Sequence, residues 1–387
     1  MARRLRLSLA AVMLAALVSS CSGNDNDNAP KSSGDAAPTA SGPPNPTKAA
    51  ETPAPTEHDE PVEADEPYRV VAAGLRIPWA IEFADDVIYV SEREGNIVKI
   101  ENGEMKRQAV RLTKAVRHEG EGGFLGLLLA PDFAETGLAY AYHTYQDNGK
   151  TFNRIVLLKL EGSEWAEQRA LLEKIPGDMY HNGGRLAFGP DGMLYATTGD
   201  AEERALSQDK NSLAGKILRM TPEGEIPSDN PFGQSYVYSY GHRNPQGIAW
   251  TKAGVMYSTE HGPSGQPGGH DEINKIEPGR NYGWPSIIGD AAQAGMETPL
   301  YHTGDEAIAP SGTIVDDQGR LIIAALRGEA IYRYTLETGK MEVLHEGEGR
   351  IRDLELRGGK LYLITNNRDG RGQPSATDDR LIAMDYT

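Results

Sequence analysis

The chain has 387 residues, a formal net charge of −17 and one cysteine. That acidity argues against nucleic acid as a partner, and a lone cysteine excludes a disulfide framework. No Cys/His spacing of the kind zinc needs occurs, and no phosphate loop or Gly-x-Gly-x-x-Gly opens a helix, so zinc and nucleotide cofactors are set aside too.

In chain order, Arg3, Arg4 and Arg6 precede an apolar run over 7–18 that ends at Ser19-Ser20-Cys21. A basic start, a short apolar core and small residues before a cut predict a signal peptide over 1–20 rather than a membrane span. Val18-Ser19-Ser20-Cys21 has the form of a bacterial lipobox, so Cys21 is expected to be lipidated. Residues 21–66 then read as the lipidated cysteine and a disordered tether. They are rich in Asn, Asp, Ser, Pro and Glu, with too little apolar surface to offset the entropy of ordering. The folded domain is expected over 67–387, on the extracytoplasmic side of the cell membrane and touching it only through the lipid anchor.

From Tyr68 onward no long stretch keeps a 3.6-residue apolar period, and Gly or Pro punctuates the chain every dozen residues or so. One pattern recurs instead, a Gly or Asp turn followed by an apolar strand. It occurs at 86–90, 137–141, 192–196, 254–258, 319–323 and 359–363. Strands that follow closely also fit, at 95–100 and 330–334. The copies stand roughly 40 to 65 residues apart, the scale of one four-stranded propeller blade. The fold class is therefore read as all-β, a six-bladed β-propeller of four-stranded antiparallel blades. A pair of β-sandwiches or an irregular barrel would also permit Gly-rich strands of this length. The longest irregular stretches, 113–126, 173–185, 200–232 and 259–310, are the places to look for a site.

Within them, Tyr180-His181-Asn182-Gly183-Gly184-Arg185 puts a histidine on a Gly-Gly bend, and the strand-like 194–198 leads to Gly199-Asp200. An imidazole with a carboxylate to orient it suits general-base chemistry on a hydroxyl. Arg243 and Asn244 lie between Gly241-His242 and Pro245, so they belong to a loop. Arg350 and Arg352 are two apart, so in a strand both would share a face and repel unless an anion lay between them. Arg327 could reach the same space, and Asp353 is a ready partner for Arg352. Converging guanidinium groups suit a ligand with several carboxylates. Farther on, the Gly262-Pro263 corner offers carbonyls and Glu272 a hard carboxylate oxygen, ligands that suit Ca²⁺.

These motifs, together with Gly122-Gly123-Phe124-Leu125-Gly126, Pro131-Asp132-Phe133, Gly241 to Gly247 and Asn281-Tyr282-Gly283-Trp284-Pro285, carry a resemblance. The chain resembles the soluble glucose/sorbosone dehydrogenases that depend on pyrroloquinoline quinone (PQQ), the aldose sugar dehydrogenase branch in particular, over about 68–387. The resemblance implies PQQ held at the channel mouth by one Ca²⁺, with a second, structural Ca²⁺ elsewhere. It implies that His181 is the base that takes the sugar C1 hydroxyl proton while hydride passes to PQQ, giving the lactone. By the same resemblance Asp200 assists and Glu121 lies near the substrate. Arg243, Asn244, Arg327, Arg350 and Arg352 match positions that hold PQQ, and the Gly262 and Pro263 carbonyls match ligands of its calcium. Glu272 and the Tyr282 carbonyl match the structural calcium site. The implied partners are an aldose substrate and an electron acceptor that the motifs do not identify.

This chain departs from the family pattern at Arg327, where lysine is frequent, and at Glu121, where glutamine is. A carboxylate at 121 would repel a tricarboxylate cofactor unless protonated or calcium-paired. The aromatic residues that a glucose-oxidising branch places above the sugar are absent around 305–310, which points to an open site with broad aldose tolerance. Two other function classes remain open at this stage. One is a calcium-dependent lactonase-type hydrolase using His181 on water. The other is a non-catalytic propeller that binds sugar or cell-wall material.

Overall fold

A computed structural model describes residues 68–265 and 268–386. The predicted signal peptide, Cys21 and the tether lie outside the described residues.

The fold is nearly all-β. Strand β1 (Tyr68–Ala73) precedes a meander of β2 (Pro78–Ala84), β3 (Val87–Glu92), β4 (Asn96–Glu101) and β5 (Glu104–Arg111). A second meander holds β6 (Phe124–Leu129), β7 (Leu138–Asp147), β8 (Lys150–Glu161) and β9 (Glu164–Pro176), with the one-turn helix α1 (Phe133–Thr136) after β6. Next come β10 (Leu186–Phe188), β11 (Leu194–Thr198), β12 (Lys216–Met220) and β13 (Val237–Tyr240). They are followed by β14 (Pro245–Trp250), β15 (Met256–Glu260), β16 (Glu272–Ile276) and β17 (Tyr301–His302). The last seven strands are β18 (Pro310–Val315), β19 (Leu321–Ala325), β20 (Ala330–Thr335), β21 (Lys340–Glu346), β22 (Ile351–Arg357), β23 (Lys360–Thr365) and β24 (Arg380–Asp385).

Four of the sheets are four-stranded, and the first two meanders share an eight-stranded sheet. They are joined by a short parallel pairing of β5 with β9, Val110 beside Trp165 and Arg111 beside Ala166. All other pairings between named strands are antiparallel. The last sheet runs β1-β24-β23-β22, so the N-terminal strand completes the unit that ends the chain. The leading strand of each four-strand unit contacts that of the next, β2 to β6, β10, β14, β18 and β22, and β22 returns to β2.

The recurrent sequence pattern has a structural meaning. Its six copies are β3, β7, β11, β15, β19 and β23, the second strand of each four-strand unit. Several of these are covered on both faces, and β11, β15 and β19 are buried at every residue. A strand buried on both sides reads as an unbroken apolar run rather than an alternation. The turns obey local chemistry too: Asn102-Gly103 and Asn148-Gly149 close the β4–β5 and β7–β8 hairpins with φ positive at both residues, as two-residue hairpins favour.

Where the leading strands converge the packing is polar and cross-linked. Arg185 donates to the Gln246 carbonyl (2.9 Å) and pairs with Asp353 (2.9 Å), while its guanidinium lies 4.3 Å from the ring centre of buried Trp79. Asp353 also accepts the Ile81 amide at 3.0 Å. The expected Arg352–Asp353 pairing is therefore corrected: the carboxylate of Asp353 serves Arg185 and the β2 backbone.

Candidate active site

His181 has a left-handed backbone (φ 56°) at the start of the Gly-Gly bend that leads into β10. Two contacts hold that bend. The Gly183 amide donates to Asn244 Oδ1 at 3.0 Å. Gly199, just past β11, lies so close that an added Cβ would sit 1.9 Å from the His181 carbonyl oxygen. The hairpin thereby delivers His181 and Asp200 to one end of the sheet, His181 Nδ1 2.8 Å from Asp200 Oδ1. Asp200 is fully buried, and its second oxygen accepts the Trp284 indole N–H at 2.8 Å. A carboxylate in this setting is an acceptor, so Nδ1 carries the imidazole proton and Nε2 keeps its lone pair.

His181 lines a cavity of about 390 Å³. Of the residues singled out in the sequence, Glu121, Arg243, Gly262, Pro263, Arg327 and Arg350 line it as well. Asn244 and Asp200 are buried behind His181, while Arg352, Glu272 and Tyr282 are not in the cavity wall. A larger cavity of about 790 Å³, around Glu82, Arg185 and Glu355, contains none of the predicted site residues. The wall at 307–309 contributes Ala307 and Ala309 rather than aromatic rings.

The arginines are buried to different degrees and differently partnered. Arg243 donates to the His261 carbonyl (3.2 Å) and to Ser264 Oγ (3.1 Å), and lies 5.4 Å from the Trp284 ring centre. Arg350 pairs with buried Asp369 at 2.8 Å and donates to the Leu326 carbonyl. Arg352 has only neutral acceptors, Gln246, Ser311 and Asn366. Burial, reinforced by Arg93 and Arg350, pulls its pKa down to about 9. Arg327 is exposed on the rim, with no side-chain partner among the described residues. The expectation that Arg350 and Arg352 share one strand face is corrected. Arg350 precedes β22, and the register slips between Ile351 and Asp353, so Arg352 occupies a bulge and ordinary alternation does not apply.

Several buried polar atoms here have no hydrogen-bond partner among the described residues: Arg350 Nε, Arg352 Nε, Asn244 Nδ2 and His261 Nε2. Unpaired buried donors are costly. Three unpaired donors and an imidazole nitrogen near one cavity fit a ligand carrying carboxylate and carbonyl oxygens, as PQQ does. The Gly262-Pro263 corner is clamped by Asp271, which accepts the amides of Gly262 (2.8 Å), Ile308 (2.7 Å) and Ala309 (2.7 Å). Glu272 lies apart, directly across from Glu260 in the β15–β16 pairing. Burial, with Glu260 nearby, raises its pKa to about 8. Asn274 Oδ1 beside it has no partner among the described residues, while Asn274 Nδ2 donates to Glu272. That oxygen-rich set fits a hard cation. Tyr282 belongs to the same neighbourhood through His242, which stacks on its ring (4.8 Å) and bonds Glu260 (2.9 Å).

Glu121 is not left to repel an anion. Its Oε2 accepts the His181 amide at 3.1 Å and its Oε1 accepts Arg371 Nη1 at 2.7 Å. Burial opposes its charge, but Arg371 and the neighbouring imidazoles outweigh that and hold its pKa at about 2. Sequence reading missed Arg371 and gave no role to Asp271 or His261, although both stand in the motifs around Gly262-Pro263 and Glu272; burial lowers the His261 pKa to about 3. It also missed Arg93, which donates to the carbonyls of Gly120 and Gly122 on either side of Glu121. Neither Arg371 nor Arg93 carries a local signal.

Comparison with known proteins agrees with this geometry. The glucose/sorbosone dehydrogenase family profile matches residues 75–374. The chain is 31% identical over 338 residues to the aldose sugar dehydrogenase YliI of Escherichia coli, covering 76% of this chain and 88% of that protein. It is 30% identical over 268 residues to quinoprotein glucose dehydrogenase B of Acinetobacter calcoaceticus, covering 60% of this chain and 55% of that one. The PQQ-bound aldose sugar dehydrogenase of Streptomyces coelicolor superimposes with a TM-score of 0.75 at 39% identity, over 82% of this chain and 96% of that structure. With a family match over residues 75–374 that takes in every residue of the cavity wall, this chain belongs to the glucose/sorbosone dehydrogenase family.

Proposed function

We propose that this protein is a PQQ-dependent aldose sugar dehydrogenase built as a six-bladed β-propeller, oxidising the C1 hydroxyl of aldoses to lactones. The observation that carries this reading is the buried Asp200–His181 pair opening into a cavity ringed by arginines and unpaired donors. Asp200 keeps the proton on Nδ1, so Nε2 is the base that takes the C1 hydroxyl proton. When bound, PQQ supplies the two-electron oxidation, accepting the C1 hydride. Arg243, Asn244, Arg327, Arg350 and Arg352 would hold the cofactor. The carbonyls of Gly262 and Pro263 hold one Ca²⁺, and Glu272 with the Tyr282 carbonyl holds a second. Glu121 orients the sugar.

The sheet topology supports the propeller, because six four-strand units succeed one another with their leading strands in a closed circuit of contacts. The hydrolase alternative gives no work to the arginines. Cys21 and its lipobox support an extracytoplasmic, lipid-anchored enzyme that passes electrons to a separate acceptor.

The test is reconstitution: the purified protein is given PQQ and Ca²⁺, and reduction of an electron-accepting dye is followed over a panel of aldoses. Turnover requiring both additions is expected. Full sugar oxidation without PQQ, or no turnover and no spectral change on adding PQQ, would overturn the reading.

A further inference from the structure

Glu121 and Arg371 stand 250 positions apart in the chain yet meet at the cavity wall. Each is fixed independently. Arg93, itself buried, grips the carbonyls flanking Glu121, and the Glu121 amide donates to the Met179 carbonyl at 2.7 Å. Arg371 has its amide on Asp369 Oδ1 at 2.9 Å and its guanidinium 5.5 Å from the ring centre of Tyr180, the neighbour of His181. The same short segment supplies Asp369 to Arg350. One carboxylate of Glu121 thus holds the backbone of His181 with one oxygen and Arg371 with the other.

A negative charge in the wall of a polycarboxylate site repels the ligand, and at low local dielectric the effect is large. Arg371 cancels that charge at contact distance. We propose that Arg371 is the residue that makes Glu121 compatible with this site: it neutralises Glu121 toward an incoming tricarboxylate cofactor and keeps Glu121 positioned on the His181 amide. This rests on the PQQ reading given above. It makes Arg371 a positioning and charge-compensating residue, matched to the carboxylate at 121.

The experiment is a double-mutant cycle on the full chain with Ca²⁺, reading PQQ affinity by absorbance titration and kcat separately. Arg371→Gln is expected to weaken PQQ binding by about tenfold or more, because it uncovers the Glu121 charge. Arg371→Lys restores binding to within about threefold, since only one guanidinium nitrogen contacts Glu121 and a point charge suffices. Glu121→Gln binds PQQ at least as tightly as wild type. The double variant Glu121→Gln/Arg371→Gln returns to within about threefold of wild type, because removing the carboxylate removes the charge that Arg371 offsets. Circular dichroism checks that each variant is folded. If the wild-type chain binds PQQ and Arg371→Gln binds it equally well, or if the double variant binds as weakly as Arg371→Gln, the inference fails while the PQQ reading stands. If the wild-type chain binds no PQQ, the cofactor reading fails and takes the inference with it.

Discussion

His181 is a base only in one tautomer, and Asp200 selects it. Trp284 occupies the second oxygen of Asp200, so the carboxylate cannot turn away from the imidazole without leaving an indole N–H unpaired in the interior. Asp200→Asn keeps the shape but removes the charge that holds the proton on Nδ1. We expect kcat for aldose oxidation to fall by about 10²–10⁴ with PQQ affinity little changed, as steady-state kinetics and cofactor titration would show. Unchanged kcat would remove Asp200 from the mechanism. This pair was legible in the sequence because one hairpin carries both residues, 19 positions apart. Arg371 was not legible, because nothing near it in the chain marks which distant carboxylate it will meet.

At the scale of the element, the β10–β11 hairpin with its flanking bends delivers the base. Gly199 is there because the His181 carbonyl occupies the space a side chain would need. Gly199→Ala should destabilise the protein by about 1–3 kcal/mol and displace His181, lowering both the unfolding midpoint and kcat. Thermal unfolding and turnover of the same preparation would check this, and an unchanged midpoint would show that the bend relaxes freely. The second strand of each unit was visible in the sequence as an apolar segment after a Gly or Asp turn, and in β11, β15 and β19 burial on both faces accounts for it. The positions of Arg350 and Arg352 were misjudged because a bulge depends on the partner strand, here at Thr365 and Ile364, and leaves no period of its own.

For the whole molecule, the decisive pairing is β1 with β24, from Tyr68 beside Met384 to Ala73 beside Arg380. It ties the first described strand to the last and covers an edge that would otherwise expose unpaired backbone. Deleting the chain through residue 74 should lower the unfolding midpoint by several degrees and promote association, which calorimetry and size-exclusion chromatography would register. A truncated chain as stable and monomeric as the parent would show that the pairing is dispensable. The amino-acid sequence by itself determined what depends on neighbours in the chain: the all-β character, the strands buried on both faces, the Asn-Gly turns and the His181–Asp200 hairpin. Tertiary structure alone decided how distant charges are matched: Arg371 to Glu121, Arg185 to Asp353, Asp369 to Arg350. The reason is physical. Backbone preference and burial are local or periodic, whereas a buried charge is settled by whichever partner the converging strands bring within hydrogen-bond reach.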